Sequence, residues 1–156
     1  MKQDICLLCN SIGGKLIWEN NQLRVIDAED ALYPGFTRVI WQSHAREMTD
    51  LNEQERDTLV RAVWMVESVM RLCLHPDKVN LASLGNMVSH VHWHVIPRFQ
   101  QDAHFPDAVW AAKKREVPPK LSQADIDRYH RELRDALLHF RVIETPALNS
   151  SFPTSI

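Results

Sequence analysis

Three histidines stand at alternate positions of one apolar segment, His90-Val91-His92-Trp93-His94-Val95-Ile96. Successive side chains of a β-strand point to opposite faces, so these imidazoles would line one face at spacings of about 6.5–7 Å. A polar stripe facing solvent would instead mix Lys, Glu, Thr and Ser. Two chemistries stay open: metal binding through ring nitrogens, and nucleophilic or acid–base catalysis at phosphorus through a phosphoramidate. The spacing alone does not choose between them.

A pair of cysteines near the start of the chain, Cys6-Leu7-Leu8-Cys9, is compatible with a redox dithiol or with half of a zinc site. A thioredoxin-like dithiol lies between a strand and a helix in a βαβ unit, and that context is missing from the pattern. A closed zinc site needs four ligands, so two more would come from elsewhere. The third cysteine, Cys73, falls in a helical pattern and is predicted to be a small buried hydrophobic side chain.

The composition is that of a single compact domain, with 156 residues, of which 45% are hydrophobic and 24% charged. The net charge of −2 argues against a protein that coats DNA or RNA, and the short basic run Lys113-Lys114-Arg115 is predicted to be a solvated loop. An odd number of cysteines argues against a secreted disulfide framework. No apolar stretch approaches the roughly 20 residues that cross a bilayer. We therefore expect a cytoplasmic protein that contacts neither a membrane nor a nucleic-acid polymer.

The strands that must position these residues follow from short apolar runs bounded by turn residues. Five strands are predicted, at 15–20, 22–27, 36–42, 78–84 and 90–97. Asn20-Asn21 separates the first two strands as a hairpin, and Pro34-Gly35 forms a turn before the third.

Two helices are predicted from apolar residues at helical spacing. The first covers 50–74 and is capped by Thr49 or Asp50, and the second covers 121–140 and is capped by Ser122. Three large side chains of the first helix are predicted to pack in the core: Trp64, Met65 and Met70. This order of elements predicts an α+β domain with a mostly antiparallel five-stranded sheet, one long helix packed on it and an additional C-terminal helix.

The histidine segment resembles the signature His-φ-His-φ-His-φ-φ, where φ is apolar, of the histidine triad (HIT) superfamily of nucleotide hydrolases and transferases. Further similarities to bacterial members follow in the same order along residues 5–110: the Cys6–Cys9 pair, Pro34-Gly35 before a strand that leads to His44, a helix that opens with Asp50-Leu51, and Pro97-Arg98. The resemblance implies a HIT-like fold over 1–115, which leaves a helical extension over 116–141 and a flexible tail over 142–156. It also implies a homodimer.

Individual roles carry over from the resemblance. His92 would be the nucleophile that takes the nucleoside monophosphate, and His94 would contact the phosphates and assist the leaving group. Asp27 would accept from the ribose hydroxyls, or it is a turn residue. Asn86 would lie near the phosphates, or it belongs to a β-turn. The base is expected against apolar residues of the first strands: Ile17, Leu23 and Val25.

In family members with the cysteine pair, the other two zinc ligands are the histidine after the third strand and the first histidine of the triad. The resemblance therefore implies a structural zinc held by Cys6, Cys9, His44 and His90, and no organic cofactor. The remaining histidines are predicted to lie at the surface, with His104 able to reach the pocket mouth; the other three are His75, His130 and His139.

Two positions depart from the family pattern. Phe36 stands where many members have a histidine that backs the catalytic one, and Met87 stands where small or hydroxyl residues are frequent. The leading expectation is a hydrolase that cleaves a phosphoanhydride or phosphoramidate bond, in a dinucleoside polyphosphate or a nucleoside phosphoramidate, through a nucleotidyl-His92 intermediate. The alternative is a zinc-stabilised nucleotide-binding module with weak or no catalysis. A dithiol oxidoreductase is the weakest of the three hypotheses.

Overall fold

The computed structural model describes residues 5–116 and 121–141, and these form the predicted α+β architecture. In chain order the elements are α1 (Leu7–Asn10), β1 (Lys15–Glu19), β2 (Leu23–Asp27), β3 (Thr37–Trp41), a 3-10 turn (Met48–Asp50), α2 (Glu53–Leu74), β4 (Lys78–Ser83), β5 (His92–Arg98) and α3 (Gln123–Leu138). The predicted tail at 142–156 lies outside the described residues, and the division of the chain near residue 115 stays a prediction. Neither long helix is apolar enough over its length to cross a membrane.

The five strands form one sheet in the order β1-β2-β3-β5-β4, and every neighbouring pair is antiparallel. The predicted mostly antiparallel sheet is therefore confirmed. The turn before β3 depends on Gly35, whose φ of +84° favours glycine and whose absent Cβ would lie 2.7 Å from Leu74 Cδ1. Close packing of that turn on α2 therefore requires glycine.

The long helix α2 begins two or three residues later than predicted. Asn52 caps it by accepting the N–H of Glu55, whose carboxylate accepts the N–H of Asn52 in return. Asp50 instead accepts backbone N–H groups before the 3-10 turn. The prediction that Trp64 is buried was wrong: it is 59% exposed, because it lies one residue away from the apolar stripe that faces the sheet.

The C-terminal helix α3 shares its core with the sheet and with α2. Ser122 caps it as predicted, with Asp125 completing the capping box. Tyr129 is fully buried, and its hydroxyl lies 2.8 Å from the hydroxyl of Thr37 on β3. Arg134 donates to the carbonyl of Ile17 on β1. These contacts connect α3 to the edge strand β1 and to the central strand β3.

Two of the histidines predicted at the surface are buried. His130 on α3 lies 2.8 Å from the carboxylate of Asp27, and His104 Nδ1 lies 2.5 Å from the hydroxyl of Tyr33. Both predictions were wrong because the partners are far away in sequence, and only the folded chain brings them together. The other two are exposed as predicted: His75 and His139.

Side-chain alternation divides the sheet into a helix face and an open face. In the pairing of β3 with β5, Val39 lies opposite Trp93, and these side chains belong to the core that α2 and α3 cover. The residues between them point the other way. On the open face, Arg38 lies opposite His94 and Ile40 opposite His92.

The loop after β5 is held by a buried ion pair between Arg98 and Asp102, with Nε 2.7 Å from Oδ2. The same carboxylate accepts the backbone N–H groups of Phe99, His104 and Phe105. Burial on its own raises the pKa of Asp102, but the hydrogen bonds from Arg98 and from these N–H groups outweigh it and lower the pKa to about 2. An anionic carboxylate therefore organises this loop.

Replacing Asp102 by Asn leaves Arg98 buried without its counter-charge. We expect the free energy of unfolding, measured by urea denaturation at pH 7, to fall by about 3 kcal/mol. Asp107→Asn is the matched control, because that carboxylate is half-exposed and pairs with Lys114 at the surface. Its effect should stay below about 1 kcal/mol.

The same pair predicts a pH dependence. Because the folded pKa of Asp102 lies below its ordinary value of 3.8, ionised Asp102 stabilises the fold fully above about pH 4, and this stabilisation is lost as the pH falls towards 2. The stability of the wild type should therefore fall more steeply over this interval than that of Asp102→Asn. Parallel pH profiles for the two proteins would contradict the assignment.

Candidate functional site

A pocket of about 540 Å³ opens on the open face of the sheet. Its polar floor consists of His92 and His94 from β5 and Arg38 from β3. The walls are mostly apolar and come from α1, from the loop between β4 and β5, and from the loop after β5. The apolar wall residues are Leu7, Leu8, Leu84, Met87, Val88 and Trp110.

The ring of His92 is oriented by the backbone two residues before it. Nδ1 lies 2.6 Å from the carbonyl oxygen of His90, so Nδ1–H donates and Nε2 carries the lone pair. Burial lowers the pKa of His92; the hydrogen bond to His90 opposes this, and the charge of Arg38 adds to the lowering. The imidazole is therefore neutral near neutral pH, which is the state that a nucleophile requires.

His94 is the second imidazole of the floor, with its ring centroid 4.8 Å from that of His92. Burial, followed by the charges of His92 and Arg38, lowers the pKa of His94 to about 4. The ring of Phe36 packs 5.4 Å from His94. Phe36 therefore neighbours His94, while the carbonyl of His90 supplies the hydrogen-bond partner of His92 that a histidine at position 36 was expected to provide.

Arg38 is a pocket residue that the sequence reasoning missed. Its guanidinium carbon lies 5.3 Å from the centre of the Phe36 ring, and Nη1 lies 3.5 Å from the carbonyl oxygen of Gly13. Nε is buried without a hydrogen-bond partner. One signal in the sequence could have found it: Arg38 is a charged residue in the otherwise mostly apolar strand Thr-Arg-Val-Ile-Trp. Side-chain alternation places it on the open face.

Beside the pocket, four side chains form a group that could bind zinc: Cys6, Cys9, His44 and His90. Their ligand atoms all lie within 4.8 Å of one another. Cys9 Sγ lies 3.3 Å from His44 Nδ1, and Cys6 Sγ lies 3.5 Å from His90 Nδ1. Ligands in a tetrahedron with Zn–S near 2.3 Å and Zn–N near 2.0–2.1 Å would be about 3.6 Å apart. The spacing and the donor types therefore fit a zinc ion.

The tautomer of His90 also fits this role. Its Nε2 lies 2.6 Å from the carbonyl oxygen of Trp41, so Nε2–H donates and the lone pair stays on Nδ1, which faces the cysteines. Burial lowers the pKa of His90 and keeps the ring neutral, as a metal ligand must be. His90 itself precedes β5, which begins at His92 rather than at the predicted position 90.

A buried arginine, Arg24 on β2, holds the cysteine turn in place. Its guanidinium donates to the carbonyl oxygens of Leu8 at 2.6 Å and Ile12 at 3.1 Å. Burial lowers the pKa of Arg24, and the charges of Glu19, Cys9 and Cys6 oppose this lowering. Arg24 would therefore compensate the negative charge of two thiolates, and nothing in the local sequence indicated that role.

The structure separates the other predicted site residues into two groups. Asn86 lies on the pocket wall, next to Met87, which is 96% exposed. The side chains expected against the base are buried in the core on the helix face, so they do not line this pocket; they are Ile17, Leu23 and Val25. That expectation was wrong because the strand parity places them on the other side of the sheet.

Asp27, expected at the ribose, also lies away from this pocket. Its carboxylate is buried beside His130 and accepts the backbone N–H of Glu29. The bond to Glu29 agrees with the alternative of a turn residue.

A search of curated proteins finds an uncharacterized HIT-like protein of Saccharolobus solfataricus, 23% identical over 107 residues, which are 63% of this chain and 77% of that protein. Among solved structures, a histidine triad protein of Bradyrhizobium japonicum matches with a TM-score of 0.67 and 26% identity, over 80% of this chain and 91% of that one. A zinc-bound histidine triad family protein of Mycobacterium smegmatis matches with a TM-score of 0.56 and 22% identity, over 86% and 94%.

The family model described as "HIT domain" matches residues 10–101, more than half of the chain. The matched segment contains the three alternating histidines, the strand with Arg38 and the loop with Asn86. The protein belongs to the HIT domain family.

Proposed function

We propose that this protein is a nucleotide hydrolase that cleaves a phosphoanhydride or phosphoramidate bond of a nucleoside phosphate derivative. The observation that carries the proposal is the orientation of His92, whose Nδ1–H donates to the carbonyl of His90. His94 and Arg38 line the same pocket. A neutral imidazole with its free lone pair on Nε2 is a competent nucleophile towards phosphorus.

The reaction would proceed in two displacements. In the first, the lone pair of His92 Nε2 forms a bond to the α-phosphorus, and the bond from phosphorus to the leaving oxygen or nitrogen breaks with its electron pair on the leaving group. A leaving phosphate departs as an anion, whereas a leaving amine takes up one proton from solvent. In the second, water attacks the same phosphorus and releases one proton to solvent, the P–Nε2 bond breaks with its electron pair on Nε2, and the nucleoside monophosphate and neutral His92 are released. Throughout, Nδ1–H can stay on the carbonyl of His90 and stabilise the positive ring.

The pocket walls suggest where the base would bind. They are apolar, and Trp110 is 63% exposed at the rim, where a planar base can stack on the indole. Asn86 would then face the phosphates rather than the base, in agreement with its place on the wall near the two histidines.

We further propose that Cys6, Cys9, His44 and His90 hold a structural zinc ion. The metal would occupy all four ligands and so fix the cysteine turn, the end of β3 and the approach to β5. His90 would then be a ligand and His92 the nucleophile. The zinc-bound state of the Mycobacterium smegmatis relative supports this proposal. The expected homodimer stays a prediction.

The second candidate is a nucleotide-binding module with weak or no catalysis. The observation that favours it is the pKa of His94 near 4, which leaves this imidazole without a proton to give to a leaving group at neutral pH.

Brief incubation with an adenylyl phosphoramidate should add one AMP to the wild type in denaturing mass spectrometry. His92→Ala should show no adduct and should lose hydrolysis by at least about 10³-fold, because no other imidazole has the same orientation. His139→Ala, at an exposed position on the other side of the sheet, should behave as the wild type. An unlabelled wild type that still binds AMP would favour the binding module.

Elemental analysis of the purified protein should find one zinc per chain. Cys9→Ser should lose the metal and lower the melting temperature, because the zinc site then lacks one of its four ligands. Cys73→Ser, at the cysteine buried on α2, should keep the zinc. The zinc site would be contradicted by a metal-free wild type in which Cys6 and Cys9 form a disulfide that a dithiol reductant reduces.

Removal of the rim indole should weaken nucleotide binding. Trp110→Ala is expected to reduce the affinity for AMP about tenfold in calorimetry, since stacking of a base on an aromatic ring is worth about 1–3 kcal/mol. Trp64→Ala is the matched control, because that tryptophan is equally exposed but lies on α2. Equal affinity in all three proteins would place the base elsewhere.

A further inference from the structure

We propose that Arg38 binds the phosphates beyond the α-phosphate and so selects substrates in which the leaving group is itself a phosphate or polyphosphate. The inference rests on the proposed function, because it assigns a preference to the same pocket. Of the two substrate classes, it favours the phosphoanhydride over the phosphoramidate.

The position of Arg38 is the first support. Arg38 lies directly opposite His94 in the pairing of β3 with β5, while Ile40 lies opposite His92. Directly opposed residues of an antiparallel pair are the closest neighbours on one face. The cation is therefore beside the imidazole expected at the leaving group and one pair away from the nucleophile.

The second support is the state of its hydrogen-bond donors. Two arginines are buried, and their guanidinium groups have several hydrogen-bond acceptors each. Arg98 donates to Asp102, Asn80 and the carbonyl of Asp107, and Arg24 donates to three carbonyls and the side-chain amide oxygen of Gln42.

Arg38 differs from both. It makes one long bond to Gly13, its Nε is buried without a partner, and it forms no ion pair with any carboxylate of the described residues. Burial lowers the pKa of Arg38, and the charge of Asp30 opposes this lowering. An anion in the pocket would satisfy the free donors, and a phosphate oxygen matches a guanidinium in geometry and charge.

The chemistry of the leaving group is the third support. A polyphosphate departs as an anion, and negative charge that develops on its oxygen is stabilised by a fixed cation. An amine must instead gain a proton as it departs, and a guanidinium does not give one up. His94 is neutral at neutral pH and has no spare proton either. The floor of the pocket is therefore suited to anionic leaving groups.

The kinetic test compares two substrates. The value of kcat/KM is measured for diadenosine tetraphosphate and for an adenylyl phosphoramidate in the wild type, Arg38→Met and Arg38→Lys. Arg38→Met should lower the ratio of the first value to the second about 10- to 100-fold, because charge-assisted hydrogen bonds are lost for one substrate only. In Arg38→Lys, which keeps the positive charge, the ratio should lie between those of Arg38→Met and the wild type. Arg71→Met, which removes the same charge from an exposed position on α2, should leave the ratio unchanged.

A binding test keeps the inference separate from catalysis. Affinities for AMP, ADP and ATP are measured by calorimetry in the His92→Ala background, where no turnover occurs. Affinity should rise with each phosphate when Arg38 is present, and Arg38→Met should remove most of the rise. If the wild type hydrolyses neither substrate but this rise depends on Arg38, the hydrolase proposal fails and phosphate recognition by Arg38 stands. An equal loss for both substrates, or a rise in affinity that Arg38→Met does not change, overturns the inference.

Discussion

The site depends on three interactions of His90, two through its ring nitrogens and one through its backbone carbonyl. Its Nε2–H donates to the carbonyl of Trp41, its Nδ1 faces the sulfurs of Cys6 and Cys9, and its own carbonyl accepts Nδ1–H of His92. One residue thus connects the group that could bind zinc to His92, the proposed nucleophile. If the backbone of His90 shifted, its carbonyl would no longer fix the tautomer and the orientation of the His92 ring. A rigid zinc site at Cys6, Cys9, His44 and His90 would therefore also hold His92 in position, although His92 is not one of the proposed ligands.

The division of the sheet into two faces explains how stability and chemistry coexist. The helix face carries the continuous apolar core with α2 and α3, and it contains no part of the triad. The open face carries His92, His94 and Arg38, whose polar groups cost free energy to bury without partners. Because α3 packs on β1 and α2, the C-terminal helix contributes to the stability of the sheet rather than to the pocket.

Three arginines, two buried and one half-buried, show how one residue type takes different roles. Arg24 and Arg98 use their donors on carbonyls and a carboxylate and thereby fix the cysteine turn and the loop after β5. Arg38 is half-buried and has few protein acceptors. Where the fold supplies the acceptors, the arginine is structural, and where it does not, the donors are available to a ligand.

The sequence by itself determined the features that depend on neighbouring residues. The alternation of side chains along a strand places His92 and His94 on one face, independently of the rest of the fold. The spacing of Cys6 and Cys9 allows one ion to bind both thiolates. The pattern of apolar runs was sufficient for the five strands and the two long helices.

Only the tertiary structure decided which residues meet across the chain. Ile17, Leu23 and Val25 were expected in the pocket, but strand register puts them in the core, since an offset of one residue reverses the face of every side chain. The pairing of Asp27 with His130 and the place of Arg38 beside His94 likewise join distant segments. Periodicity is a local property of the chain, whereas register and the partners of buried polar groups are set by the packing of the whole domain.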